Sequence, residues 1–318
     1  MTSPLIQAIQ DATGLSEDQV LRLVVRSPHS YKVYTIPKKT GGVRTIAQPA
    51  KETKYLQRWL IANVFGALPL HESATAYTTD SSIKKNANRH KENSYISKFD
   101  FQNFFPSIKE SDLLQHFTKY LGDQLPECDV QYAARLCCIN TKGTKDRHLS
   151  IGAPSSPLLS NSVMYEFDSI IDSWCNANGF VYTRYADDLT FSTSVKGASS
   201  EIEAKIIEII KAINYPKLRL NRKKTVHLSK KYQRRITGLI INNDDQLSIG
   251  RDRKRAISSL IHRYSLSMLT TSETYHLQGL LGFAKDIEPM FVVSMRKKYG
   301  AEVVDAIFQV RKIATSSP

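Results

Sequence analysis

The sequence of 318 residues holds only four cysteines, Cys128, Cys137, Cys138 and Cys175, and no C-x-x-C pair. This pattern argues against a structural zinc site and suits free thiols in a reducing compartment. No segment approaches the roughly 20 apolar residues that a membrane-crossing helix requires. Met1–Gln10 lacks the basic start and long apolar run of a secretory signal. A cytoplasmic location with no membrane partner is therefore expected. Internal repeats and low-complexity tracts are also missing. Acids are scarce beside bases: 30 Asp and Glu against 44 Lys and Arg, a formal charge of +14. Such an excess attracts polyanions, of which nucleic acid is the commonest. The excess is also clustered. Residues 217–235 carry nine Lys or Arg and no acid, and would repel one another unless a polyanion or water screened them.

The chain is long enough for a large core and two or three subdomains. Ser16 and Gln19 read as a capping box ahead of an apolar face of Leu15, Val20, Leu23 and Val24. Alternation over 31–36 and 43–46, around Pro37-Lys38-Lys39-Thr40-Gly41-Gly42, predicts a β-hairpin with a basic loop. Helical spacing follows over 51–68, with Tyr55, Leu56, Trp59, Leu60 and Val64 expected inward. Residues 78–94 read as a loop or exposed helix, and 95–99 as a strand ending at Asp100. Helices are expected near 109–121, 128–138, 154–178 and 199–213. The 140–150 stretch, with Lys142, Lys145 and Arg147, reads as a loop. Short strands are expected at 217–220, 225–228 and 236–241. From Arg251 onward the period is helical, with breaks near Thr270–Ser272 and Pro289. The order is α+β, then an all-helical tail of about 65 residues.

Residues 182–191, Tyr-Thr-Arg-Tyr-Ala-Asp-Asp-Leu-Thr-Phe, carry the most information. Aromatic and β-branched runs flank an acid pair, so Asp187 and Asp188 are expected at a hairpin tip. Adjacent carboxylates repel; a divalent cation or exposure to water offsets the repulsion. Asp100, ending a strand among Phe99, Phe101, Phe104 and Phe105, reads on its own most simply as a helix cap or salt-bridge partner. Beside Asp187 and Asp188 it suggests three carboxylates from two strand ends converging on one sheet edge. Two divalent ions about 3.5–4 Å apart need such a donor set for phosphoryl transfer. Strand alternation would let only one of the adjacent pair be a strong ligand, and Asp187 is favoured. Gly152-Ala153-Pro154-Ser155-Ser156-Pro157 precedes a long helix. Alone it is an ordinary helix start, although its small residues would admit a nucleic-acid backbone.

Taken in order, these segments resemble the A, B and C motifs of reverse transcriptases: Asp100 with Phe104-Phe105; Gly152 to Pro157 with Asn161; and Tyr185-Ala186-Asp187-Asp188. Asn221 with Lys224-Thr225 resembles motif D, and Thr237-Gly238-Leu239 the start of the primer grip. The resemblance spans roughly residues 30–245. Bacterial retron enzymes are the nearest match, through Asn86-Ala87 with His90 and through Ile236-Thr237-Gly238, where Ile stands for the usual Val. Ile151 stands where the family usually has Gln. The resemblance implies a right-hand polymerase. Residues 1–94 would form N-terminal helices and fingers, 95–245 the palm with interleaved fingers segments, and 246–318 a helical, RNA-binding thumb.

The resemblance also implies roles. Asp100, Asp187 and Asp188, with the carbonyl of Phe101, would hold two Mg2+ ions. Phe105 would lie against the incoming sugar and select deoxynucleotides, and Ala153 would line the nucleotide site. Arg44 and Lys38 would neutralise the triphosphate, and Lys224 the leaving pyrophosphate. Asn86, His90, Arg251, Arg253, Lys254 and Arg255 would contact RNA. The implied partners are a dNTP, a cognate non-coding RNA with its DNA product, and an effector protein in antiphage defence. Synthesis would start from a guanosine 2′-hydroxyl and leave a branched RNA–DNA hybrid. Two alternatives stand beside this: a reverse transcriptase of a group II intron-like lineage, and a non-catalytic RNA-binding scaffold.

Overall fold

A computed structural model describes residues 3–38, 41–79, 81–141 and 146–311. Lys39, Thr40, Lys142 and Lys145 of the two expected loops lie outside these residues. The chain forms two compact units, residues 1–81 with 95–227, and residues 82–94 with 228–318.

The first unit is built around a sheet of four strands in the order Val181–Tyr185, Asp188–Thr193, Tyr95–Asp100 and Val226–Ser229. The first three run antiparallel to their neighbours. The sheet and the helices share one hydrophobic core, to which Ile9, Val24, Leu60, Phe117, Phe167, Ile171 and Ile206 contribute, all essentially without solvent contact. The capping box is present, with the Ser16 N–H donating to Gln19 Oε1 at 2.8 Å. The predicted hairpin pairs Tyr31–Pro37 with Val43–Pro49 over seven residues. Lys38 lies in its loop, where its N–H donates to Gly42 O at 2.9 Å. Among the described residues no helix is long and apolar enough to cross a membrane. All four cysteines are free thiols.

Several elements differ from expectation. The expected 154–178 helix is two helices, Ser156–Val163 and Tyr165–Ala177, because Met164 leaves helical backbone geometry at ψ 0°. The 51–68 helix ends at Asn63, and Tyr55 is 49% exposed rather than inward. Residues 217–220 make no strand beyond one bridge, Phe101 to Leu220. The expected 236–241 strand is a hairpin of Arg234–Ile236 with Leu239–Ile241. Thr237 at φ 44° and Gly238 at φ 84° give it the two positive-φ residues of a tight two-residue turn.

The second unit packs that hairpin, with the Leu247–Ser248 strand, alongside four helices: Arg251–Ser265, Thr271–Ile287, Pro289–Tyr299 and Ala301–Gln309. The helix breaks fall as expected: Thr270 caps with Glu273, and Pro289 opens the next helix. Residues 82–94 belong to this unit through Arg234, only 1% exposed. Its guanidinium donates to Asn93 O at 2.8 Å, Lys91 O at 3.3 Å, Asn242 O at 2.5 Å and Asp245 Oδ1 at 2.9 Å. Arg234→Ala strands three partly buried carbonyls. It is expected to destabilise this unit by about 3 kcal/mol, and amide exchange over 82–94 should rise ahead of the C-terminal helices. Unchanged exchange there would remove Arg234 as the anchor.

Candidate active site

Asp100 closes its strand and Asp188 opens the neighbouring one, and the two are register partners. Their Cα atoms are thereby held roughly 4.5–5.5 Å apart. Tyr185 pairs with Asp188, so Ala186 and Asp187 form the hairpin tip, with Ala186 at φ 57°. The Asp187 carbonyl accepts the Phe101 N–H at 3.2 Å, which ties the tip to the residue after Asp100. The three acids therefore meet at one end of one antiparallel pair. Asp187 lies in the turn and not in a strand, so strand alternation does not set its direction.

The electrostatics follow from this crowding. Burial, then the charge of Asp187, pushes the Asp188 carboxyl up to about 6. Burial, then the charge of Asp100, raises Asp187. Asp100 is 4% exposed and already partnered: Lys224 Nζ stands 2.8 Å from Oδ2, and Asn221 Nδ2 donates to Oδ1 at 3.3 Å. Burial lowers the Lys224 ammonium, but its hydrogen bond to Asp100 and the surrounding acids outweigh this and raise it. Among the described residues no three acids, histidines or cysteines form a ready-made metal cage. The donor set still fits magnesium. Magnesium takes one or two carboxylates and completes its shell with water and substrate phosphates.

The other expected site residues separate into three groups. Arg44 is exposed on the hairpin strand, and its charge reaches Asp187. Lys38 is exposed near the hairpin tip. Phe105 is half-buried, its ring edge-on to Phe104 at 5.4 Å. These remain accessible. Phe101 is buried, stacked on Phe104, and offers only its backbone. Ala153 is buried too. Gly152 is required by the fold itself: a Cβ there would meet Ala47 O and Ile46 Cγ2 at 3.0 Å, and its φ is +118°. The Ile151 carbonyl accepts the Ala47 N–H at 2.8 Å, zipping this segment to the hairpin base.

In the second unit Asn86 and His90 are fully buried, and burial pushes the His90 imidazole down to about 3. Direct RNA contact by these two side chains is therefore corrected to a role inside the unit. Lys254 pairs with Glu288 at 2.5 Å, and Arg253 lies 5.1 Å over the Phe283 ring. Arg251 and Arg255 face solvent.

The sequence reading missed Arg184 and Asp168, which form a fully buried ion pair beneath the acidic turn. A lone Arg in an apolar strand, and Asp168 at the same helical spacing as the apolar Phe167 and Ile171, were the available signals. It also missed Tyr77, whose ring lies 6.5 Å from Tyr185.

Residues 36–241 match the family described as reverse transcriptase (RNA-dependent DNA polymerase). The retron Ec83 reverse transcriptase of Escherichia coli is 38% identical over 87% of this chain and 89% of its own length. The retron Ec73 reverse transcriptase of Escherichia coli is 36% identical over 94% of this chain and 96% of its own. Among solved structures, apo telomerase from Candida tropicalis aligns at a TM-score of 0.49 and 13% identity, covering 89% of this chain and 62% of that one. The α+β chain belongs to the reverse transcriptase family, as an RNA-directed DNA polymerase of the bacterial retron type.

Proposed function

We propose that this polymerase copies one cognate structured RNA, starts from a guanosine 2′-hydroxyl of that RNA, and leaves a branched RNA–DNA hybrid used in antiphage defence with an effector protein. The register pairing of Asp100 with Asp188, with Asp187 at the adjoining tip, is the observation that carries the polymerase chemistry. Asp100, Asp187, Asp188 and the Phe101 carbonyl would hold two magnesium ions. Bound there, the ions would activate the attacking hydroxyl and stabilise the departing pyrophosphate. Lys224, paired with Asp100, would neutralise or protonate that leaving group. Arg44 and Lys38 would meet the triphosphate as charge-assisted donors. The half-buried Phe105 ring would stand against C2′ of the incoming sugar and exclude a ribose hydroxyl. Residues 1–94, 95–245 and 246–318 would serve as fingers, palm and thumb. Arg251 and Arg255, free toward solvent, are the strongest RNA contacts of the thumb, with Arg253 and Lys254 behind them. The enzyme would work in the cytoplasm.

Support for the RNA partner is the +14 charge and the similarity to the retron enzymes. Nucleic acid that co-purifies with the protein tests the reading. One enriched RNA, joined to DNA through a linkage that survives 3′–5′ phosphodiester cleavage, is expected. Mixed cellular RNA carrying only linear, 3′-primed DNA would instead place the enzyme in another reverse transcriptase lineage.

A further inference from the structure

We propose that Arg184 is a positioning residue: its guanidinium locks the acidic turn to the helices Ser156–Val163 and Tyr165–Ala177, and so sets where Asp187 points. The proposal rests on the polymerase reading of Asp187. Arg184 has no solvent exposure, and every arm of its side chain is used. Nε donates to both Asp168 oxygens, at 2.9 and 3.2 Å, and Nη2 to Asp168 Oδ2 at 2.5 Å. Nη1 donates to Asn161 Oδ1 at 3.0 Å and to the Ala186 carbonyl at 3.2 Å. The last bond matters most. That carbonyl belongs to the peptide linking Ala186 to Asp187, so fixing it fixes the plane from which Asp187 departs.

The frame around this bond is rigid. Asn161 Nδ2 donates to Ala76 O at 2.7 Å, and the Tyr182 hydroxyl to Asp168 Oδ1 at 2.7 Å. The Arg184 backbone is clamped as well: its N–H donates to Ser73 O at 2.7 Å and its carbonyl accepts the Thr75 N–H at 2.8 Å. Such a clamp answers a need. Ala186 holds φ 57°, a conformation that costs a residue with a Cβ roughly 1–2 kcal/mol and persists only where its surroundings enforce it. An arginine fork can grip a carboxylate with one edge and still present Nη1 to two further acceptors; an ammonium on a flexible stem cannot. A buried ion pair adds little stability over apolar packing, so geometry accounts better for its presence here.

Arg184→Lys in the full chain, assayed below its melting transition, tests this. It keeps a cation facing Asp168 but loses the reach to Ala186. We expect kcat for deoxynucleotide incorporation to fall about 100-fold, with KM for dNTP and RNA affinity changed less than about threefold. Amide exchange over 185–188 should quicken at least about tenfold, while the Glu110–Leu121 helix exchanges as before. Asn161→Ser, which leaves the ion pair intact, should show the same pattern at about tenfold in kcat, and it decides the matter if the lysine variant does not fold. Native kcat with native exchange at the turn overturns the proposal, as does a loss of activity that only tracks the folded fraction. A loosened turn with native kcat would leave the clamp standing and overturn the catalytic assignment of Asp187.

Discussion

Asp187→Asn should lower deoxynucleotide incorporation by on the order of 1,000-fold or more, yet leave the metal-free protein more stable at neutral pH than its parent. Both halves have one cause. Asp187 and Asp188 are raised, first by burial and then by a neighbouring acid, with Asp188 reaching about 6. A raised carboxyl binds its proton more tightly in the folded chain than in the unfolded one. Ionising it therefore costs stability. The cost is absent below the unfolded value near 4 and complete above about 6. Stability of the metal-free parent should fall as pH rises through that window, by on the order of 2 kcal/mol for Asp188. The amide of the variant carries no charge, so it removes its own share and relieves Asp188. Melting curves in chelator at pH 4.5 and 7, set beside single-turnover incorporation, read both effects. Added magnesium should raise the melting temperature of the parent and not of the variant. A variant that polymerises at the native rate would remove Asp187 from the chemistry. One that melts lower than its parent at pH 7 would mean that the carboxylate gains more from its internal partners than it loses to repulsion.

The acidic turn was legible in the sequence because a hairpin is a local object. Its strands announce themselves by β-branched and aromatic residues, and the polar break between them marks the tip. Asp100 was legible for the same reason, as the residue at which an apolar strand stops. What escaped depends on residues far apart along the chain. Asn86 and His90 lie in a polar, basic stretch that reads as exposed, but Arg234, more than 140 positions later, draws that stretch into the second unit. Gly152 reads as room for nucleic acid, but the backbone that approaches it is Ala47 of the hairpin. The grip of Lys224 on Asp100 spans 124 positions. Thr237-Gly238 is a different failure. The chemistry of a tight turn was present in those two residues, and apolar neighbours on both sides made a continuous strand the easier reading.

The Arg184–Asp168 pair separates stability from function most sharply. Asp168→Ala leaves a buried guanidinium without its counter-charge and the Tyr182 hydroxyl without its acceptor. The expected cost is about 3–5 kcal/mol, a drop on the order of 10 °C in the melting of the first unit. The double change Asp168→Leu with Arg184→Met removes both charges and fills the space with apolar atoms. It should recover at least about half of that loss, since a buried pair is worth little over well-packed apolar side chains. Ala186 O and Asn161 Oδ1 would still lack their donor, at about 1 kcal/mol or more each, which keeps the recovery incomplete. Incorporation should not recover with it. A double variant that melts near its parent and extends DNA at the parental rate would reduce the pair to core filling. A stable but slow one would show that the arginine is held in the interior to aim the turn, and that the fold tolerates a buried charge there for the sake of that aim.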